Sequence, residues 1–201
     1  MINTVLTLGF DKSWRKKAVN NLIGTSVLDL GSGTGAAFDQ LLNYETTAID
    51  PDKKMLELNT FENKVLGSAE NLPFEDNSFD NVFCSFVWRN VSDTNKALEE
   101  VYRVLRPGGK FILLDMTRPK NPFLKILHKI GTFKVLHLIG LLTFNLKEYR
   151  FLYKSLDFYP QPENHLKKDT FWIMCLAAVS YTHLRAHETV LDLVCRLLLE
   201  K

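Results

Sequence analysis

The chain has 201 residues, 46% hydrophobic and 24% charged, a length and composition that suit one well-filled core, exclude disorder and fibrous repeats, and leave no room for two generous domains. Lys and Arg total 25 against 23 Asp and Glu, a net charge of +2, too weak to argue for a nucleic-acid partner. Cys84, Cys175 and Cys195 form no CxxC pair, so neither a disulfide framework nor a metal site is expected, and without a bilayer-spanning apolar run or a signal-peptide pattern the expected location is the reducing cytoplasm.

Residues 1–178 alternate between helical and strand patterns with no repeat or linker, and so read as a single α/β domain. Asp11 is placed to cap a helix carrying Trp14, Ala18 and Leu22 on one face. A short apolar strand over 26–30 follows, then a glycine turn over 31–35 and a helix through Leu42. A second strand ends at Ala48-Ile49-Asp50 and leads into a helix over 52–58. Val65-Leu66 is a weak third strand, 81–86 a stronger fourth and 110–115 a fifth. Between the last two, Ala97, Leu98, Val101, Tyr102 and Leu105 mark an amphipathic helix that Pro107-Gly108-Gly109 stops. Repeated strand-helix-strand units predict a parallel sheet with right-handed crossovers, its ligands outside the carboxyl ends of the strands.

The last stretch, 179–201, is set apart. Codon by codon it reads as translated sequencing adapter, transposase end first and flow-cell end last, and the expectation is a non-native tail excluded from the fold. It takes three basic and three acidic residues with it, so the charge balance does not change.

The sharpest local signal is VLDLGSGTG, 27–35: a buried strand delivering three alternate glycines into a turn that opens a helix. Glycine is needed where the backbone bends sharply or must approach a ligand without a Cβ in the way. Asp50 closes the next strand, placed to accept hydrogen bonds from a ribose diol. Three readings share these features. Gly31, Gly33 and Ala36 satisfy a loose dinucleotide pattern for a nicotinamide-dependent oxidoreductase, the same loop suits an adenosyl cofactor without phosphates, and a plain tight turn needs no ligand.

The rest of the chain separates them. VLDLGSGTG, AIDPDKKML, GSAENLPFEDNSFDNVFCSF and RVLRPGGKFILLD come in the order found in class I S-adenosylmethionine-dependent methyltransferases, which 1–178 resembles over nearly its whole length. LTLGFDKSWRKKAV, SFVWRNVSDTNKALEEVYRVLRPGG and YRFLYKSLDFYPQPENHL most resemble the quinone-biosynthesis C-methyltransferases that act on demethylmenaquinone and ubiquinone precursors. The resemblance implies a Rossmann-like fold, a mostly parallel sheet, and S-adenosyl-L-methionine as cofactor. It implies that Gly31, Ser32, Gly33 and Thr34 line the methionine end, that Asp29 lies under that loop as an acceptor, and that Asp50 holds the ribose. Ser68 and Ala69 would flank the adenine, and Ser85 would face the reacting sulfonium. A methyltransferase for another small molecule and an inactive fragment remain as alternatives.

A ring carbon becomes nucleophilic when the neighbouring quinol hydroxyl loses its proton, so a stabiliser of the phenolate is expected. Arg89 is the candidate for that role, with Asn90 orienting the ring; Asp93, Tyr149 and Tyr153 are weaker candidates for proton transfer. From 117 to 147 the chain carries six basic residues, among them Lys125, Lys129 and Lys134, and no acid, interleaved with large apolar residues. This reads as a helical insert suited either to covering the site or to peripheral contact with an anionic membrane, where a lipid-quinol substrate would enter. Members of the resembled family carry a further helix before Met1 and, after about Lys168, an antiparallel strand pair. The expectation is that both are missing here, which would leave the fifth strand as a bare apolar edge.

Overall fold

The computed structural model describes residues 4, 7, 9–116, 122–142, 150, 153–154, 172–178 and 194–197. In chain order the elements are α1 (Asp11–Val19), β1 (Ser26–Leu30), α2 (Phe38–Leu41), β2 (Glu45–Asp50), α3 (Lys53–Glu57), β3 (Asn63–Leu66), β4 (Phe79–Ser85), a single 3-10 turn (Trp88–Asn90), α4 (Thr94–Val104), β5 (Leu105–Met116), α5 (Pro122–Leu142), β6 (Trp172–Ala178) and β7 (Val194–Leu197). They build one sheet in the order β3-β2-β1-β4-β5-β6-β7. Every pairing is parallel except that of β7 with β6. Strand order reverses between β1 and β4, which opens a crevice at their carboxyl ends.

Successive side chains of a strand point to opposite faces, and here each face finds its own helix layer. Leu28, Leu30, Val82, Cys84, Phe111 and Leu113 pack against Ala97, Val101 and Val104 of α4 and against Trp88. Val27, Ala48, Phe83 and Ile112 pack on the other face against Ala18 and Val19 of α1 and Leu41 of α2. Phe83 and Phe111 are fully covered, each contributing about 1.5–3 kcal/mol through apolar surface removed from water. Strands buried on both sides need near-continuous apolar runs, and VFC in β4 and FILL in β5 supply them.

Local chemistry sets the helix starts. Asp52 accepts the N–H groups of Lys54 and Met55, and Asp93 those of Asn95 and Lys96, so both are N-caps. Asp11 departs from the expected capping role. It is the first helical residue of α1, and its carboxylate takes the hydroxyls of Thr4 and Thr7 and the guanidinium of Arg15 one turn on; the arginine competes for the oxygens a cap would use. β5 also starts earlier than expected, at Leu105. Pro107-Gly108-Gly109 therefore sits inside the strand, at a shift of register against Phe79 and Asn81 of β4, with Gly108 at φ +79°.

The expectation of a bare fifth strand is corrected. β6 runs beside β5 in parallel from Lys110↔Trp172 to Met116↔Ala178, and WIMCLAA is an apolar run of strand length. The antiparallel edge is present too, as β7 against β6, and it falls within 194–197, inside the stretch expected to be a foreign tail.

Candidate functional site

The carboxyl end of β1 passes into the glycine turn with Gly31 at φ +71°, Gly33 at +54° and Gly35 at +81°. These glycines have different reasons to lack a side chain. A Cβ on Gly31 would collide with Val87, and one on Gly35 would meet Asn59 Oδ1 at 2.8 Å; both are packing constraints. A Cβ on Gly33 would meet nothing within 4 Å, so the backbone there borders open space. The loop is clipped from beneath by Asn59, whose Nδ2 donates to Ser32 Oγ at 3.0 Å and to the Gly33 carbonyl at 2.9 Å. Thr34 is exposed at the rim.

Asp50 ends β2 beside this loop. Its Oδ2 accepts the Gly33 N–H at 2.8 Å and its Oδ1 the Asp52 N–H at 2.9 Å. A carboxylate has about four lone-pair sites, so each oxygen keeps one acceptor position for a further donor such as a hydroxyl. Asp29, in β1, is 1% exposed, and its Oδ2 has no hydrogen-bond partner among the described residues. Burial pushes its carboxyl up to about 7, Arg15 pulling down and Asp50 pushing up. A buried oxygen without a partner marks a place for a donor.

Ser68 and Ala69 lie just beyond β3, Ala69 buried and Ser68 half-buried. Glu70 follows, and sequence reasoning missed its part. Its Oε1 accepts the N–H groups of Ser92 at 2.9 Å and Asp93 at 3.4 Å, pinning the segment that carries Arg89 to the segment that carries Ser68. Burial raises the Glu70 carboxyl, but those N–H groups, its own N–H and the Ser68 hydroxyl outweigh that and hold it below the usual range. Arg103 ties the same loop down from α4, donating to the carbonyls of Leu72 and Phe74 while paired with Glu100 and Asp76.

At the end of β4, Ser85 Oγ accepts the Nε–H of Arg15 at 3.3 Å. Phe86 follows at φ +60°, a left-handed position that turns the chain sharply toward the 3-10 turn. That turn carries Arg89, whose Nη1 lies 2.8 Å from Asp115 Oδ1; the two side chains are 4% and 1% exposed. The Arg89 N–H reaches Asp115 Oδ2 at 3.3 Å. Its Nε is buried with no partner among the described residues. Asn90 is exposed. Asp93 is an exposed N-cap, Tyr153 packs edge-on against Phe133 of α5, and Tyr149 lies outside the described residues.

Asp29, Gly31, Ser32, Gly33, Asp50, Ser85 and Arg89 therefore all lie at or just past the carboxyl ends of β1, β2 and β4, the crevice expected for this topology. Sequence reasoning missed Arg15, Asn59, Glu70 and Asp115. Two carried a signal: Asp115 ends an apolar strand as Asp50 does, and Asp11 and Arg15 stand at ion-pair spacing on a helix.

The ubiE/COQ5 methyltransferase family model matches residues 1–188, past Lys168, after which family elements are expected to be missing, and ten residues into 179–201. The ubiquinone/menaquinone biosynthesis C-methyltransferase UbiE of Rickettsia bellii is 35% identical over 184 residues, 81% of this chain and 74% of that protein. Among solved structures, the YcgJ protein of Bacillus subtilis aligns with a TM-score of 0.51 at 30% identity, over 63% of this chain and 58% of its own. A Bacillus halodurans protein described as a methyltransferase aligns at 0.51 and 26%, over 59% and 57%. A nicotinamide-dependent oxidoreductase has no support in these likenesses.

Proposed function

The chain belongs to the ubiE/COQ5 methyltransferase family, and from that premise we propose that it moves the methyl group of S-adenosylmethionine to a ring carbon of a demethylmenaquinol or related quinol. The cofactor, when bound, supplies a methyl already activated on a sulfonium, which leaves the protein to bind, align and handle one proton. The residues present fit such a group. The open side of Gly33 admits a ligand against the backbone, the partnerless Oδ2 of Asp29 suits an ammonium, and the spare acceptor positions of Asp50 suit a diol. Ser85 presents a hydroxyl at the strand end between these groups and Arg89, while Ser68 and Ala69 supply a half-polar wall for a flat base.

The observation that carries the acceptor side is the buried Arg89–Asp115 pair with the Arg89 Nε–H left over. A deprotonated quinol oxygen placed there would accept that N–H, and a preorganised cation in a dry site lowers the energy of such an oxyanion. The test is turnover of a quinol panel with the mass of the product as readout. A gain of about 14 daltons, one CH2, is expected on a naphthoquinol or benzoquinol, and Arg89→Met should lower kcat by about 100-fold with S-adenosylhomocysteine binding kept. Cofactor binding without methylation of any quinol would move the chain to another acceptor.

A cytoplasmic enzyme acting on a prenylated ring must meet the bilayer, and α5 is suited to do so. Among the described residues no helix is long and apolar enough to cross a membrane. Along α5, Ile126, Leu127, Ile130, Leu138 and Leu141 are each at least half exposed. The helix carries three lysines, two histidines and no acid, which favours an anionic lipid surface as the occupant of that stripe. Co-sedimentation with phosphatidylglycerol vesicles, lost in high salt and absent with phosphatidylcholine, is expected; equal binding to both would remove this part of the reading.

A further inference from the structure

Arg15 lies seventy residues from Ser85 in sequence and bonds to it. Its side chain is 3% exposed, with Nη1 2.6 Å from Asp11 Oδ2, itself 4% exposed, and its guanidinium carbon lies 4.9 Å over the ring of Phe86. Docking α1 on the sheet does not require this. Desolvating an ion pair costs several kcal/mol per ion, and a well-packed apolar pair of similar volume often serves stability as well or better. The cation also lies at the crevice, on Ser85 at the carboxyl end of the strand paired with the one that bears Asp29, and it draws the Asp29 carboxyl down.

We propose that Arg15 is a positioning residue of the methyl-donor site, orienting the Ser85 hydroxyl and setting a buried positive charge against Asp29. With one lone pair of Ser85 Oγ taken by the Arg15 Nε–H, the hydroxyl is held with its own proton free to point away from α1, toward the crevice. One further group acts on Asp29, Asp50 on β2, which opposes its ionisation; Cys84 on β4, itself pushed up by burial and by Asp115 and Asp29, stays a neutral thiol through neutral pH and adds no charge. Arg15 is the group that favours the carboxylate, the form able to hold an ammonium. The helix ahead of the first strand thus belongs to the donor site and is more than its packing. This rests on the donor-site reading above.

The test is the calorimetric affinity for S-adenosylhomocysteine between pH 5.5 and 9. In the unsubstituted chain affinity should rise through neutral pH as Asp29 ionises. Arg15→Lys should keep that midpoint, while Arg15→Met should move it up by about one pH unit, about tenfold in affinity on the acid side. Because Arg15→Met leaves Asp11 buried without its cation, the double variant Asp11→Asn with Arg15→Met is measured beside it and should show the same displacement. An unmoved midpoint in either folded variant would overturn this proposal alone. No binding by the unsubstituted chain would overturn the donor-site reading together with the proposal.

Discussion

Asp29 joins stability to the proposed donor site at a single carboxyl. In the folded chain it holds its proton up to about pH 7, against 3.8 for an ordinary aspartate. Between these values the folded state binds more protons than the unfolded one, so stability falls as pH rises from about 4 to about 7 and then levels off. The ceiling on that loss is on the order of 4 kcal/mol. Asp29→Asn keeps the shape and removes the charge. At pH 8 it is expected to melt at a higher temperature than the unsubstituted chain, with the difference vanishing near pH 4, and to bind S-adenosylhomocysteine more than tenfold more weakly. Thermal unfolding at the two pH values and calorimetry check this; equal affinity would remove Asp29 from the site.

Between secondary-structure elements the decisive contacts are those that pin one loop to another. Glu70 receives two backbone N–H groups at the entry to α4, so Glu70→Gln should cost about 1 kcal/mol of stability by turning charged acceptors into neutral ones. It should also loosen the turn bearing Arg89. Turnover of the quinol should fall several-fold while S-adenosylhomocysteine affinity changes less; the reverse order would assign Glu70 to the cofactor. This is also the scale at which sequence reading lost sight of the site. The glycine turn and the place of Asp50 at a strand end were legible because each is read from neighbours a few residues away. Arg89–Asp115, Glu70–Ser92 and Arg15–Ser85 join residues 26, 22 and 70 positions apart, and which residues meet over such separations is decided by strand order and register. Arg89 was legible as a functional candidate, but its partner and its burial were not. Asn90, in the same block, lies exposed, since a 3-10 turn places adjacent side chains on different sides.

For the molecule as a whole, the question is what the β5 side of the sheet needs. Seven residue pairs join β5 to β6, and four join β6 to β7. Ending the chain after Ala178 removes, among the described residues, the edge strand β7 alone and should lower the melting temperature by about 2–4 °C, the effect of about 1 kcal/mol in a chain of this size. Ending it after 171 bares β5 and should bring a much larger drop with aggregation at the exposed apolar edge. Thermal scans of the three chains with light scattering decide this; equal losses from the two truncations would mean that the last residues hold the sheet as firmly as β6 does.

The alternation of side chains along the strands carries one more consequence. Asp29 and Ser85 share the face that packs on α1, where Arg15 reaches them, while Asp115 follows Phe111 and Leu113 on the face of α4 and meets Arg89 there. The two buried arginines thus reach the carboxyl ends of the strands from opposite faces of the sheet. A change at Asp115 therefore acts first on Arg89, whereas a change at Val87 is felt in the glycine turn, where its side chain fills the space a Cβ on Gly31 would need.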